Sequence, residues 1–293
     1  MKNDDELNRR SKAIKHVSLI GIIANLLLLT LKFIVGFMAK SQAMLADSLN
    51  SAGDIFASFM SYIGAKISSK PNDDDHPHGH GKAEYVFTQL ISISMIVASV
   101  MMINSSIESI INKAQVEFSI WLVIVCVITI FTKFLLYLYT RVKGKKHNSL
   151  LIEASMEDHR NDMFVTLGTL IGIVGSYLGY YYIDGIIGIF ISCWIAYVGF
   201  GLFKTSYKVL MDTNIDEEKQ KDIENKVMEF EEILHVDSMI SKPIGNKNII
   251  ILKVSMNGEM TINVSHDIAG KIKDKLIKEF DYIYDVIIHI NPH

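Results

Sequence analysis

Residues 17–38 have the sequence VSLIGIIANLLLLTLKFIVGFM, an almost unbroken apolar run that decides the fold class. A helix needs roughly 20 mostly apolar residues to cross the hydrocarbon layer of a membrane, and this run is long enough. The whole chain of 293 residues is 49% hydrophobic, with a mean hydropathy of +0.26. Soluble domains seldom have a positive average, so the composition favours a membrane protein. Lys32 lies inside the run, and we expect its amine to snorkel toward the membrane surface.

Five further stretches have the length of a transmembrane helix. We therefore predict an α-helical membrane protein with six transmembrane helices embedded in a lipid bilayer. The second stretch is unusual because it carries Asp47, Asn50 and Asp54, and the fifth begins with the polar sequence EASMEDHRND. The six predicted spans are residues 17–38, 43–67, 85–111, 116–140, 150–182 and 183–203.

The basic residues of the short loops predict the orientation, since Lys and Arg concentrate on the cytoplasmic side of a membrane. They cluster before the first span, after the second and after the fourth. The opposite loops contain only Lys40 and Lys113. We therefore expect a multi-pass protein of the cell (plasma) membrane with cytoplasmic N- and C-termini. The clustered residues are Arg9, Arg10, Lys12, Lys15, Lys66, Lys70, Lys82, Arg141, Lys143, Lys145 and Lys146.

A soluble pattern begins at Asp212, where charged residues become frequent. Residues 216–230 form an amphipathic helical pattern, and residues 264–280 form a second one with apolar positions four apart. Three short apolar stretches, residues 234–240, 249–256 and 286–290, are typical of strands. The order αββαβ predicts a ferredoxin-like α+β domain. We therefore divide the chain into a transport domain at 1–211 and a C-terminal domain at 212–293.

Two pairs of polar residues lie within predicted spans. Asn50 and Asp54 are four residues apart, and so are Asp158 and Asp162. This spacing puts both members of a pair on one helix face. A carboxylate within a bilayer costs at least ~2.5 kcal/mol to insert, which favours a functional role. The alternative is that these residues cap helix ends or line a wet vestibule. Two matched pairs in separate spans favour a cation site.

The ligand types suggest which cation would bind. The four residues offer only carboxylate and amide oxygens, which suit Mg²⁺, Ca²⁺ and Mn²⁺, whereas Zn²⁺ usually takes nitrogen or sulfur ligands. His159 follows Asp158 directly. Successive helix positions are rotated by about 100°, so we expect His159 to point away from the site. The pattern favours manganese and leaves zinc and iron open.

The loop after the second predicted span contains the sequence DDDHPHGHGK at residues 73–82. Histidine and aspartate at this density are typical of mixed nitrogen and oxygen metal ligation. A solvated connector with no bound metal is the alternative.

These features together resemble the cation diffusion facilitator family. The resemblance rests on the six spans, the runs LADSLNSAGD and EDHRND, the loop HPHGHGKAE and the αββαβ tail ending DVIIHINP. It implies that Asn50, Asp54, Asp158 and Asp162 form the transport site. Zinc-transporting branches carry a histidine at the position of Asp158, and the combination found here is similar to the manganese-exporting branch. The resemblance also implies a homodimer that exchanges metal for protons.

Three further sets of residues follow from the resemblance alone. A loop metal site would consist of Asp73, His76 and His80, with His78 as an unmatched extra. A charge pair that locks the dimer would be Lys82 and Asp212. A tail site would use Asp237, His266 and His289. That tail site is incomplete, because Asp237, Lys253 and Asn291 stand where the zinc-binding pattern has His, His and Asp, and a lysine repels a cation.

The expected function is secondary active export of a divalent cation from the cytoplasm. Mn²⁺ is the favoured cation, with Zn²⁺ or Fe²⁺ as the alternatives. No cofactor is expected beyond the transported metal. A membrane-embedded hydrolase is disfavoured because no motif such as H-E-x-x-H occurs. A membrane-anchored metal sensor or scaffold would need an intact tail site. A net charge of -3 gives no support to nucleic-acid binding, and two cysteines allow no cysteine metal cluster.

Overall fold

The structure is a computed structural model that describes residues 2–38, 42–111, 119–180 and 182–293. Within these ranges, the side chains of residues 2–8, 42–47, 49–50 and 176 lie outside the description. The predicted ligand Asn50 and its neighbour Asp47 belong to this group. The described residues divide into two compact units, residues 1–71 with 83–206 and residues 72–82 with 207–293.

In its described residues, the first unit contains six long helices. All but α1 are 27 to 29 residues long, and α1 has 37. Contacts join α1 to α2, α4 and α5, and they also join α2 to α5 and α4 to α5. The helices are α1 (Lys2–Met38), α2 (Gln42–Ser68), α3 (Ala83–Ile111), α4 (Ile120–His147), α5 (Leu150–Tyr177) and α6 (Ile183–Leu210).

The helices of this unit bury polar residues and expose apolar ones. On α6, Ser192 and Ser206 are fully buried, whereas Phe190 is 76% exposed and Tyr197 is 74% exposed. A soluble protein would not leave so much aromatic surface in water. The buried hydroxyls donate within the helices; for example, Ser192 Oγ donates to the Gly188 carbonyl oxygen at 2.6 Å. This pattern is that of a membrane protein whose outer surface faces lipid.

Among the residues that the structure describes, four helices are long and apolar enough to cross a membrane: residues 9–38 of α1, α3, α4 and α6. The helices α2 and α5 do not meet that criterion of apolarity. These two helices carry the acidic residues that the sequence singles out. Our expectation of six spans therefore stays a prediction for α2 and α5.

A buried ion pair ties the start of α5 to α1 and α3. Glu84 on α3 is fully buried, and its Oε2 lies 2.8 Å from Arg10 Nη1. Its Oε1 accepts hydrogen bonds from Ser149 Oγ at 2.7 Å and from the Leu150 backbone N–H at 2.9 Å. Arg10 also donates from Nε to the His147 carbonyl oxygen at 3.0 Å, at the end of α4. The orphan groups of two helix ends are thus satisfied by one pair of charges.

The αββαβ order predicted for the tail is confirmed. Helix α7 (Glu217–Val227) precedes β1 (Ile233–Ile244) and β2 (Lys247–Met256), and α8 (Ile262–Glu279) precedes β3 (Ile283–Pro292). The sheet has the order β1-β2-β3, with β1 antiparallel and β3 parallel to β2. Alternation explains the core, because the even-numbered residues of β2 point toward the helices. The fully buried members of this core include Ile223, Ile250, Leu252, Val254 and Ile272.

Candidate metal site

Helix α2 buries a stripe of small polar residues along one face, and Asp54 lies in the middle of it. Ser51, Asp54, Ser58 and Ser61 are each at most 6% exposed and follow one another at helical spacing. This face turns inward because α2 packs against α1, α3 and α5. Asp54 therefore presents a carboxylate to the interior of the first unit, where water is scarce.

Helix α5 brings Asp158 and Asp162 together, as their spacing predicts. Each has a carboxylate oxygen within 4.8 Å of the other, and a ring nitrogen of His159 completes this group of three. Our expectation that His159 points away is therefore wrong. The reason is that His159 and Asp162 are three residues apart, and such residues are neighbours on a helix surface. The His159 ring is only 1% exposed, and it lies beside Gly21 of α1.

Lys133 of α4, which the sequence did not single out, joins the two acidic helices. Its Nζ donates to Asp54 Oδ2 at 2.8 Å, and it also contacts Asp162 Oδ2 as an ion pair. The lysine is fully buried. The signal was present, because Lys133 is a charged residue within a predicted span, and such residues mark functional sites. Because the other residues of the span 116–140 are mostly apolar, the span was interpreted as a plain apolar helix and Lys133 was not singled out.

A second buried lysine corrects our expectation for α1. Lys32 is only 3% exposed, and its Nζ donates to Ser51 Oγ of α2 at 3.2 Å. It does not snorkel toward a membrane surface, because α1 packs closely against α2 and turns this face inward. Asn25, two turns earlier on α1, is also fully buried. The interior of the unit is thus polar on the α1 side as well.

The arrangement is suited to holding a cation. Asp158 lies beside Asp162, and Asp162 shares the Lys133 ammonium with Asp54, so three carboxylates from α2 and α5 lie near one another where an unpaired negative charge would be costly. Two unit charges 4 Å apart interact by about 4 kcal/mol at the effective dielectric typical of proteins, so a positive charge between the carboxylates is strongly held. The carboxylate oxygens are hard ligands, and His159 places one nitrogen within reach of them. Asn50, the remaining predicted ligand, has a side chain outside the described residues.

The loop residues predicted to bind metal lie together in the second unit. Asp73 Oδ1 is 2.9 Å from His76 Nδ1, and Asp73 Oδ2 is 3.5 Å from His80 Nε2. The rings of His76 and His80 have centroids 4.2 Å apart. The hydrogen bond from His76 lowers the pKa of Asp73 below its usual range, so this carboxylate is ionised at neutral pH. Two imidazoles and one carboxylate can hold a divalent cation.

The same loop contacts other parts of the second unit. Lys82 Nζ donates to Asp212 Oδ1 at 2.5 Å, so these two residues form a pair within one chain. Gly81 and Gly245 approach each other so closely that a Cβ on Gly81 would lie 3.1 Å from the Gly245 Cα. Gly245 also has a φ of +70° in the turn between β1 and β2. The loop is therefore fixed at the tip of this hairpin. The dimer-locking role of Lys82 and Asp212 stays a prediction.

The tail residues Asp237, His266 and His289 are not brought together. Residues 212–293 are all described, and no group of three metal-ligating atoms within 4.8 Å is found among them. Asp237 instead accepts hydrogen bonds from Asn291 Nδ2 at 2.6 Å and Ser255 Oγ at 2.9 Å. The hydrogen bond from Asn291 is the main cause that lowers the pKa of Asp237, and the bond from Ser255 acts in the same direction.

Two histidines that were not predicted as site residues, His235 and His293, lie near Asp237. His235 Nε2 lies 2.8 Å from Asp237 Oδ1, and the two histidine rings have centroids 5.3 Å apart. The sequence signal was weak: His235 and Asp237 are two apart on β1, but strand alternation is interrupted there by register shifts between Ile233 and His235 and between Val236 and Ser238.

Two family models match the chain in succession. The model described as "Cation efflux transmembrane domain" matches residues 18–211, and the model described as "Cation efflux protein, cytoplasmic domain" matches residues 215–293. Together they account for most of the chain, and they meet close to the predicted domain boundary.

Full-length relatives agree with these matches. "Manganese efflux system protein MneP" of Bacillus subtilis is 30% identical over 98% of this chain and 98% of its own length. "Manganese efflux system protein MneS" of the same organism is 29% identical over 100% of this chain and 99% of its own. "Cation-efflux pump FieF" of Shewanella oneidensis is 26% identical, covering 95% and 94% respectively. With its buried carboxylates in a helical membrane unit and its αββαβ tail, this chain therefore belongs to the cation diffusion facilitator family and is a cation efflux transporter, not an enzyme.

Proposed function

We propose that this transporter exports Mn²⁺ from the cytoplasm through the site formed by Asn50, Asp54, Asp158 and Asp162. The observation that carries the proposal is that Asp158 and Asp162 lie within 4.8 Å of each other on α5, while Asp54 of α2 and Asp162 contact the same buried Lys133 ammonium. Carboxylate oxygens are the ligands that manganese prefers. The names of the Bacillus relatives, both manganese efflux proteins, support the same metal.

The rest of the architecture follows from this proposal. Helices α2 and α5 would complete six spans, because Asp54, Asp158 and Asp162 face the interior of the unit and not lipid. The transport domain would comprise residues 1–211, and residues 212–293 would form a cytoplasmic dimerisation domain, with both termini in the cytoplasm. The protein would work as a homodimer in the plasma membrane. Asp73, His76 and His80 would bind a second, regulatory metal ion on the cytoplasmic side.

Protons are the proposed counter-ion. Metal binding to carboxylates releases any protons they hold, so export of the metal can be coupled to proton uptake. Flux of Mn²⁺ should then depend on the pH difference across the membrane. A flux that is the same with and without that difference would remove proton exchange from the proposal while leaving metal export intact.

Zinc or iron is the second candidate metal, and His159 favours it. Its ring nitrogen lies within 4.8 Å of the carboxylate oxygens, and nitrogen is a preferred ligand of Zn²⁺. The relative FieF, named only as a cation-efflux pump, shows that the family contains members not named for manganese. A histidine at the site thus weakens the argument from ligand type that favours Mn²⁺ over Zn²⁺.

The deciding experiment is metal flux into proteoliposomes that contain the purified protein. We expect Mn²⁺ to be transported faster than Zn²⁺, and Asp162→Asn to abolish transport of both. Glu153→Gln is the matched control, because Glu153 is exposed on the same helix and should leave the flux unchanged. Asn50→His should admit zinc. If wild-type protein carries Zn²⁺ as fast as Mn²⁺, the site stands and the manganese assignment fails.

A further inference from the structure

Lys133 occupies the centre of the candidate transport site. Its ammonium contacts one oxygen of Asp54 and one of Asp162, which belong to different helices, and the side chain is only 1% exposed. A buried ammonium is costly unless it is paired. Here the pairing groups are the carboxylates that the proposed function assigns to the metal. The lysine and the metal therefore require the same oxygens.

We propose that the Lys133 ammonium is a tethered competitor of the transported ion, which makes the site selective for divalent over monovalent cations. This inference rests on the proposed function, because it assumes that Asp54 and Asp162 bind the metal. In the metal-free state the lysine holds α2, α4 and α5 together. In the metal-bound state it leaves the two oxygens to the ion.

Charge repulsion opposes simultaneous binding of the ammonium and the metal to the same two oxygens. A transition metal binds a carboxylate oxygen at roughly 2.0–2.2 Å. Lys133 Nζ lies 2.8 Å from Asp54 Oδ2. Two cations on the same pair of oxygens would be about 3–4 Å apart, and at that distance like charges in a buried site repel strongly. The ammonium must move when the metal binds.

The lysine has a place to go on its own helix. Thr129 lies one turn earlier, is fully buried, and its Oγ1 has no hydrogen-bond partner among the described residues. Residues four apart share a helix face. A lysine stem has four carbons and reorients readily. The Thr129 hydroxyl can therefore accept a hydrogen bond from the displaced ammonium.

Selectivity follows from charge. A monovalent ion such as Na⁺ has no more charge than the ammonium that it would displace. Unlike the ammonium, it is not covalently attached to the protein, so it competes poorly for the carboxylates. A divalent ion offers twice the charge, so its attraction to the carboxylates exceeds that of the lysine. The competitor thus excludes the abundant monovalent ions and lowers the affinity for the metal, which favours its release.

The test is calorimetric titration of Mn²⁺ into the purified full-length protein in detergent. All variants carry Asp73→Ala and His76→Ala, so that the loop cluster contributes no heat. Lys133→Met removes the charge and keeps the length of the side chain. Because this variant loses a charged hydrogen-bond donor that competes for the same oxygens, we expect Mn²⁺ to bind to it about tenfold more tightly, or more. Added Na⁺ should weaken Mn²⁺ binding in Lys133→Met far more than in wild type.

The controls separate this inference from the proposed function. Lys143→Met removes a charge from α4 about 15 Å along the helix axis and should leave the affinity and the Na⁺ effect unchanged. A Lys133→Met variant that binds Mn²⁺ equally or more weakly, while Asp162→Asn still abolishes binding, overturns the competitor role alone. If Asp162→Asn leaves wild-type binding unchanged, the metal site itself is misplaced.

A variant that does not fold still leaves the inference testable. Lys133→Gln also removes the charge and can hydrogen-bond to the carboxylates, so it should show the same tighter binding and Na⁺ sensitivity. The rise of Tm with added Mn²⁺ gives a second measurement. A competitor predicts a larger rise in the neutral variants than in wild type, because tighter binding stabilises more. A rise that is equal or smaller contradicts it.

Discussion

Substitution of Arg10 by Met is expected to lower the free energy of unfolding of the transmembrane unit by about 3 kcal/mol. Removing one partner of a buried ion pair typically costs about 3–5 kcal/mol, because the other charge stays buried and unpaired. Glu84 is fully buried, but it would keep two donors, Ser149 Oγ and the Leu150 N–H. These two hydrogen bonds place the expectation at the lower end of the range.

Both tryptophans make this change measurable. Trp121 lies on α4 and Trp194 on α6, so the selectively excited tryptophan fluorescence reports on the transmembrane unit alone. Unfolding by SDS titration in mixed micelles gives the free energy. Arg141→Met is the matched control, since Arg141 is exposed and its guanidinium lies 5.9 Å from the Tyr137 ring centroid. It should cost no more than about 1 kcal/mol.

Equal costs for the two arginine substitutions would refute this reasoning, because the buried pair would then contribute no more than a surface contact. A double substitution of Arg10 and Glu84 by Met provides an independent check. It should cost less than the sum of the single changes, since no unpaired charge remains.

Three further predictions concern the second unit. His80→Ala should weaken metal binding by the loop at least about tenfold, because one ligand is lost. His78→Ala should change the affinity little. Zinc titration of each variant measures the affinity. Because the pKa of Asp73 is lowered in the folded loop, its pairing with histidine stabilises the loop at any pH above the usual pKa of an aspartate. This stabilisation is lost as the pH falls through the lowered pKa. The chemical shifts of the loop histidines, measured as a function of pH, will show the loss. Gly245→Ala should destabilise by about 1–2 kcal/mol because of its positive φ, whereas Gly270→Ala, in open space on α8, should stabilise by about 0.5–1 kcal/mol; urea unfolding distinguishes the two.

Local spacing predicted those features that depend on one helix or one strand. Asp158 and Asp162 lie together because residues four apart share a helix face. The strands of the tail follow from alternation of apolar residues, so the αββαβ order was accessible as well. His159 shows the limit of the argument. The rotation of about 100° per residue gives the direction of the Cα–Cβ bond. It does not give the position of the ring nitrogens of a histidine, which lie several bonds farther out.

Contacts between distant segments were not accessible in this way. The pairing of Lys133 with Asp54 and Asp162 requires three helices to meet, and no periodicity in one helix encodes it. His293 is at the end of the chain and reaches His235 only because β3 pairs with β2 beside β1. Arg10 of α1 and Glu84 of α3 are likewise brought together because both side chains bind the α4–α5 turn. In each case the sequence showed that burying a charged or polar side chain would be unfavourable, but it did not show which residue would pair with that side chain.

The second compact unit is discontinuous in sequence, because it includes residues 72–82 as well as residues 207–293. The polypeptide therefore passes between the units three times: after Pro71, before Ala83 and after Ser206. A proteolytic cut at residue 206 alone would leave the C-terminal fragment attached through its contacts with the α2–α3 connection, among them Lys82 with Asp212. Conversely, a fragment expressed from residue 207 onward would lack a segment of its own unit and would expose Gly245 to solvent. Any force on the C-terminal unit would act directly on the ends of α2 and α3, and α2 carries Asp54.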